Sequence, residues 1–266
     1  MSGVRYGCVV RRARAAITAL VATSTGCSFR DLSSLGPPID GGPAAEATVS
    51  GGCPGRAGPP GVRVGAFCID RTEVTNSEYE AFLSSAPAVA AQPASCAANT
   101  SFEPRPSPSW PGPPTAAVLN IDWSDAAAYC AWAGKRLCGR IGGGGNVPRA
   151  EVDDASRDEW FFACSGGGER AFPYGASYVR GRCNDSEVAR PVGGSPGCEG
   201  GAPGVFDLSG GVWEWVDACE GDRCALRGGS FSHEGVGLGC AFGPVGFTER
   251  RTEAVGDVGI RCCASP

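Results

Sequence analysis

Two carboxylates, Asp207 and Glu214, flank a Gly210-Gly211 turn in the run Phe206-Asp-Leu-Ser-Gly-Gly-Val-Trp-Glu-Trp215. Oxygen ligands on either side of a tight loop suit a hard cation, because calcium accepts carboxylates and backbone carbonyls in one shell. Glu214 is bracketed by Trp213 and Trp215 inside an alternation, Val212 to Val216, that is too apolar for an exposed strand. The pattern predicts a short buried segment in which Glu214 has a partner, since an unpaired buried carboxylate is costly. That partner is either a cation or an arginine such as Arg227.

The chain also carries 15 cysteines and a single histidine, His233. Zinc sites draw on Cys/His clusters at short spacings, and no Cys-x-x-Cys occurs, so the cysteines are expected in disulfides of an exported protein. Setting aside Cys8 and Cys27 leaves an odd number, so at least one thiol is free or paired between molecules. Cys219 with Cys224 is expected to close a hairpin. Cys183 with Cys198, and Cys240 with Cys262 or Cys263, are further expected pairs. His233 lies in a glycine-rich loop and is expected to be solvated rather than catalytic. The glycine run 142–145 lacks the Gly-Lys-Ser/Thr ending of a phosphate loop. A formal net charge of −5 with scattered arginines excludes a nucleic-acid footprint.

The elements that must position these groups are short. With 266 residues and 42% hydrophobic content, the chain predicts one globular domain plus a tail, and 42 glycines with 21 prolines predict many turns. Residues 1–27 resemble an export signal. Arg11, Arg12 and Arg14 precede a short apolar run ending in small residues, and Cys27 stands where a bacterial lipoprotein carries its lipid. The expected location is the bacterial envelope as a lipoprotein, with periplasmic or secreted protein as the alternative. The membrane would be reached through that anchor. Residues 28–61, rich in Gly, Pro, Ala and Ser, predict a tether. Residues 62–266 predict the folded domain. There, 62–69 alternates as a first strand, and Thr75 is a cap for a helix with Tyr79, Phe82 and Leu83 on its apolar face. Residues 84–117 predict a surface loop pinned by Cys96. Ser124 is the expected cap of a second helix carrying Ala128, Tyr129, Trp132 and Ala133, and Ser156 of a third over 154–163.

The run at 206–215, followed by Leu226-Arg-Gly-Gly-Ser-Phe231, resembles the signature of the formylglycine-generating enzyme, or sulfatase-modifying factor, family. Further matching blocks are Phe67-Cys-Ile-Asp-Arg-Thr-Glu-Val-Thr-Asn-Ser-Glu-Tyr79, Ile121-Asp-Trp-Ser-Asp-Ala-Ala-Ala-Tyr-Cys-Ala-Trp-Ala133, Asp158-Glu-Trp160, Tyr174-Gly175 and Val258-Gly-Ile-Arg-Cys-Cys263. The resemblance implies an α+β class: a compact, C-type-lectin-like fold with little regular secondary structure, disulfide-tied. It also implies structural calcium, held by the Asp207 and Glu214 side chains and the Gly210 and Val212 carbonyls. Gly211 stands where the family usually has asparagine. A second family calcium site would start at Asn184 and Asp185, but its remaining ligands fall in a segment that is shorter here.

Family enzymes oxidise a protein cysteine with oxygen and a copper ion held by two cysteines just after the Gly-Gly-Ser motif. Soft thiolates suit Cu(I), so that pair is indispensable to the chemistry. In this chain the region holds Ser232, His233 and one cysteine, Cys240. Cys219 and Cys224 have the pair's spacing but precede the motif. The resemblance therefore implies a domain without copper that binds a protein or glycan through the loops 84–117, 139–153 and 232–256. The alternative is a formylglycine-generating oxidoreductase. Sulfoxide-synthase relatives of this fold use a histidine-bearing iron domain, which one histidine excludes.

Overall fold

A computed structural model describes residues 48–49, 52–105, 110–243 and 246–266. The expected export signal and Cys27 lie outside the described residues. Strand β1 (Thr48–Val49) pairs antiparallel with β2 (Gly61–Val64), and Cys53 is bonded to Cys68. Of the segment expected as tether, Thr48–Val49 and Cys53 are thus fastened to the domain. Residues 62–69 form a hairpin rather than one strand. Gly65 turns at φ 58°, where glycine has no Cβ to clash, and β3 (Phe67–Asp70) returns along β2.

Strand β11 (Cys262–Ala264) inserts between β3 and β4 (Arg136–Leu137), completing a five-stranded sheet in the order β1-β2-β3-β11-β4. A four-stranded sheet runs β10 (Val258–Ile260), β7 (Trp213–Glu220), β8 (Arg223–Arg227), β9 (Thr248–Arg250). A third, two-stranded sheet joins β5 (Glu199–Gly200) to β6 (Ala202–Phe206). With three short helices these sheets make a mixed α+β fold with little regular structure, as the resemblance implied.

Helix α1 (Asn76–Ser84) begins as its sequence predicts, with Thr75 and Glu78 closing a reciprocal capping box. The next two caps are corrections. Helix α2 (Trp123–Trp132) is capped by Asp122, not Ser124; the Asp122 carboxylate accepts from the amides of Ser124 and Asp125 at 2.8 and 3.0 Å. A carboxylate at the positive end of the helix dipole holds two orphan amides at once, which a serine hydroxyl inside the first turn does not. Helix α3 (Glu159–Ser165) is capped by Asp158, while the Ser156 hydroxyl is held by Asp154 in the turn before it.

Side chains of β7 alternate between two cores. Trp213 and Trp215 pack with Tyr79, Phe82 and Tyr129 of the first two helices, whereas Val216 and Ala218 pack with Trp160, Leu208 and Val205. Six disulfides tie the described residues, the chemistry of an oxidising compartment. Cys219–Cys224 and Cys183–Cys198 are paired as expected. Cys240 is not paired with Cys262 or Cys263; it is bonded to Cys164 of α3. The vicinal cysteines sit on opposite faces of β11, so Cys262 reaches Cys130 of α2 and Cys263 reaches Cys138 beyond β4. Cys96 is the free cysteine of the described residues; it secures its loop by burial in the core, not by a covalent bond. No helix among the described residues is long and apolar enough to cross a membrane.

Candidate binding site around the Gly-Gly turn

The turn expected to hold a cation is built from left-handed backbone: Asp207, Gly210 and Gly211 adopt φ 61°, 70° and 67°. A Cβ at Gly210 would strike the Asn184 carbonyl, and one at Gly211 would strike Glu73 Oε1. Gly211 therefore leaves room for Glu73, a buried side chain to which the spacing of the sequence assigned no role. The parallel bridge between Asn184 and Gly210, with the Gly211 amide donating to the Asn184 carbonyl at 3.0 Å, brings the two expected calcium segments together.

Glu214 finds an arginine, but it is Arg261 rather than Arg227. Arg261 Nε donates to both carboxylate oxygens at 2.8 and 3.0 Å, and Trp160 Nε1 donates to Oε2 at 2.6 Å. Arg261 Nη1 and Nη2 also donate to the carbonyls of Asp70 and Phe206, each at 2.8 Å. The parallel pairing of β10 with β7 places Gly259 opposite Glu214 and delivers Arg261 to it. Arg227 is Glu214's ladder partner on β8, yet its guanidinium stacks 4.9 Å from the Trp160 ring. It then bonds the Cys240 carbonyl at 2.8 Å and Asp153 at 3.3 Å.

Arg261 is the buried cation of a group that holds three buried carboxylates, Glu73, Asp207 and Glu214. Burial pushes Glu73 well above the ordinary carboxylate range; the charges of Asp207 and Glu214 push it further, against Arg261 and a backbone hydrogen bond. Burial likewise raises Asp207 and Glu214. Glu73 Oε2 accepts no hydrogen bond and lies 3.8 Å from Arg261. An excess of buried negative charge with an orphaned oxygen fits a divalent cation. No three His, Cys, Asp or Glu side chains among the described residues form a metal-ligating group. Backbone carbonyls would have to complete the shell, which is a calcium habit.

The second expected site is differently placed. Asp185 accepts from the Tyr178 hydroxyl at 2.6 Å and the Gly181 amide at 2.9 Å. Burial pulls its carboxyl up, but these bonds prevail and hold it below its ordinary value. Asn184 gives its amide to the Val188 carbonyl and accepts from the Ser186 hydroxyl.

Across β7 lies the region where the family's copper pair would sit. Ser230 Oγ donates to Asp257 Oδ2 at 2.6 Å and lies 2.8 Å from His233 Nδ1; Ser232 Oγ lies 3.2 Å from both. The His233 ring meets Trp213 and Phe247 edge-on, with centroids 5.1 and 5.4 Å away. These rings border a cavity of about 570 Å³, which Phe172, Leu226, Val236 and Phe242 also line. Cys240 lines it too, but as half of its disulfide with Cys164.

Sequence reasoning missed Glu73, Arg261 and Asp257. The first two lie inside quoted family blocks, and that was their only signal; nothing in their spacing shows that they meet. Asp257 has no signal at all outside the fold.

Residues 38–266 match the family model described as the sulfatase-modifying factor enzyme 1-like domain. The chain is 32% identical over 131 residues to the inactive C-alpha-formylglycine-generating enzyme 2 of Bos taurus, covering 43% of this chain and 38% of that protein. It is 27% identical over 199 residues to the formylglycine-generating enzyme of Thermomonospora curvata, covering 58% of this chain and 60% of that one. The matches therefore span less than two thirds of these relatives. In structure the chain is similar to PvdO from Pseudomonas aeruginosa, with a TM-score of 0.52 at 19% identity, over 84% of this chain and 92% of that one. That likeness concerns the fold alone.

Proposed function

This chain belongs to the family of the sulfatase-modifying factor enzyme 1-like domain, and from that premise we propose that it is a binding module rather than a cysteine oxidase. One observation carries the reading. Cys240, the cysteine that follows the Gly-Gly-Ser motif, is bonded to Cys164, and the free thiol of the described residues, Cys96, is buried in the helical core. Copper held by two thiolates has no pair to use there. The likeness to an inactive relative points the same way.

The test is alkylation of the denatured, unreduced chain with peptide mapping, run beside a Cu(I) titration of the native chain. The reading expects Cys96 labelled, the Cys164–Cys240 peptide recovered intact, and no tight copper site. A labelled Cys240 together with tight Cu(I) binding would restore the oxidoreductase, and oxygen-dependent oxidation of a cysteine peptide would then be assayed.

Calcium is proposed as a structural ion. Asp207 and Glu214 side chains with the Gly210 and Val212 carbonyls would hold it, Glu214 exchanging bonds to Arg261 and Trp160 for the ion, and it would supply positive charge to the three carboxylates around Arg261. Calcium at a hundredfold excess over its Kd would stabilise the native state by about 2.7 kcal/mol. A melting temperature indifferent to calcium and to chelator would remove the ion from the proposal. A second ion at the Asn184 side chain and the Asp185 carbonyl is the weaker assignment, because the Asn184 amide group is already engaged and the segment that would complete the site is shorter here. The partner is proposed to be a protein or glycan met outside the cytoplasm, with the domain held near a membrane by Cys27.

A further inference from the structure

The cavity of about 570 Å³ beside His233 has the size of a small-molecule site, and its lining is chiefly aromatic and aliphatic. Two of the exposed large hydrophobic side chains of the described residues, Val236 at 89% and Phe247 at 44% exposure, belong to this lining, so its apolar surface opens to solvent. Three rings, Trp213, His233 and Phe247, pack against one another on one wall, with Trp213 and Phe247 centroids 4.6 Å apart.

The hydrogen bonds behind His233 decide its tautomer. A 2.6 Å approach between Ser230 Oγ and the Asp257 carboxylate needs a proton between the oxygens, and the serine supplies it. The Ser230 hydroxyl has only that proton, so toward His233 Nδ1, at 2.8 Å, it can only accept, while Ser232 Oγ, 3.2 Å from both Nδ1 and Asp257 Oδ2, gives its proton to the carboxylate. The imidazole is therefore protonated on Nδ1, and its lone pair is on Nε2, on the far side of the ring from Ser230. Nε2 has no hydrogen-bond partner among the described residues.

The charge around the cavity excludes ionic ligands. Arg227 is among the residues that line it, and its positive charge opposes a cation. Its guanidinium is already engaged by Asp153 and the Cys240 carbonyl, so it has little to offer an anion. What remains is a neutral flat group that buries against rings and gives one hydrogen bond.

We propose that this cavity binds an uncharged aromatic ring carrying a single O–H donor, a phenol, with the donor hydrogen-bonded to His233 Nε2. This rests on the reading of the domain as a binding module and names what that module takes. The phenol can be a free small molecule or the tyrosine side chain of a partner protein, and the test separates the two.

His233 is the only histidine, so labelling the full, disulfide-intact chain with 15N-histidine yields one imidazole to observe. The neutral ring is expected in the Nδ1–H form. Titration with 4-methylphenol is expected to move the Nε2 resonance and to saturate. Toluene, equal in shape but without the donor, is expected to bind about tenfold more weakly, the worth of one buried hydrogen bond. In His233→Leu that preference disappears while toluene binding persists. A blocked Gly-Tyr-Gly peptide that binds at least as tightly as 4-methylphenol identifies tyrosine of a protein; a peptide that does not bind identifies a free phenol. An Nε2–H tautomer, equal affinity for toluene and 4-methylphenol, or no response to either would overturn the proposal. Each of these results is independent of copper, so a positive Cu(I) titration would remove the binding-module reading without being confused with them.

Discussion

Glu214 and Trp213 are neighbours on one strand, yet they belong to regions of opposite character. Glu214 faces a closed cluster: both of its oxygens are occupied, by Arg261 and Trp160, and Arg261 is fully buried with its own donors spent on Glu214, Asp70 and Phe206. Trp213 faces His233, Phe247 and an open apolar cavity whose histidine Nε2 has no hydrogen-bond partner among the described residues. The pleat of β7 separates the two by a single residue. Bonds to both oxygens of Glu214 make a rigid floor on one face. Unfinished apolar surface on the other makes a place to bind.

Three changes would break or sharpen this contrast. The largest effect is expected on the closed side. Glu214→Ala removes Arg261's hydrogen-bonded carboxylate, leaving only Glu73 at 3.8 Å and the charge of Asp207, and removes the Trp160 bond; breaking a buried pair costs about 3–5 kcal/mol. Denaturant unfolding with the disulfides intact should show that loss; a change under 1 kcal/mol, as for an ordinary surface site, would mean the cluster is not closed as described.

The second concerns how a buried carboxylate is tolerated when no cation touches it. Asp125 accepts from Asn99 at 2.7 Å and the Asp122 amide at 3.1 Å, and lies beside the like charge of Asp122. Burial, then Asp122, pushes its carboxyl up to about 7 from an ordinary 3.8. A carboxyl raised in the native state keeps a proton that the unfolded chain has lost. Its contribution is therefore complete at the acid end of this window and is lost as pH rises through about 7. Unfolding free energy measured at several pH values should fall more steeply in the wild type than in Asp125→Asn, by at most about 1.4 kcal/mol per pH unit. Parallel slopes would show that Asp125 does not titrate in this range.

The smallest effect on stability, and the largest on binding, is expected from the open side. Phe247→Ala removes a half-exposed ring and should cost less than about 1 kcal/mol of stability, while weakening 4-methylphenol about fivefold through the lost ring contact. Unchanged affinity would take Phe247 out of the site.

Local chemistry was legible in the sequence. Thr75 and Glu78 are three residues apart and cap α1 by themselves; Cys219 and Cys224 meet because a hairpin joins them; and the six family blocks carried the α+β fold. Even nearby choices failed where two close residues could each start the helix, as at Asp122 over Ser124. Partners far apart in sequence were decided only in three dimensions. Glu214 takes Arg261 and not Arg227 because β10 lies parallel to β7, and Cys262 and Cys263 take Cys130 and Cys138 because β11 turns them to opposite faces, while Cys240 is bonded to Cys164. The lone pair on His233 depends on Asp257, which reaches Ser230 from 27 residues away. Spacing along a chain encodes turns and caps, whose energies are local. Which buried charge, thiol or hydroxyl meets which depends on how sheets pack, and that is a property of the whole fold.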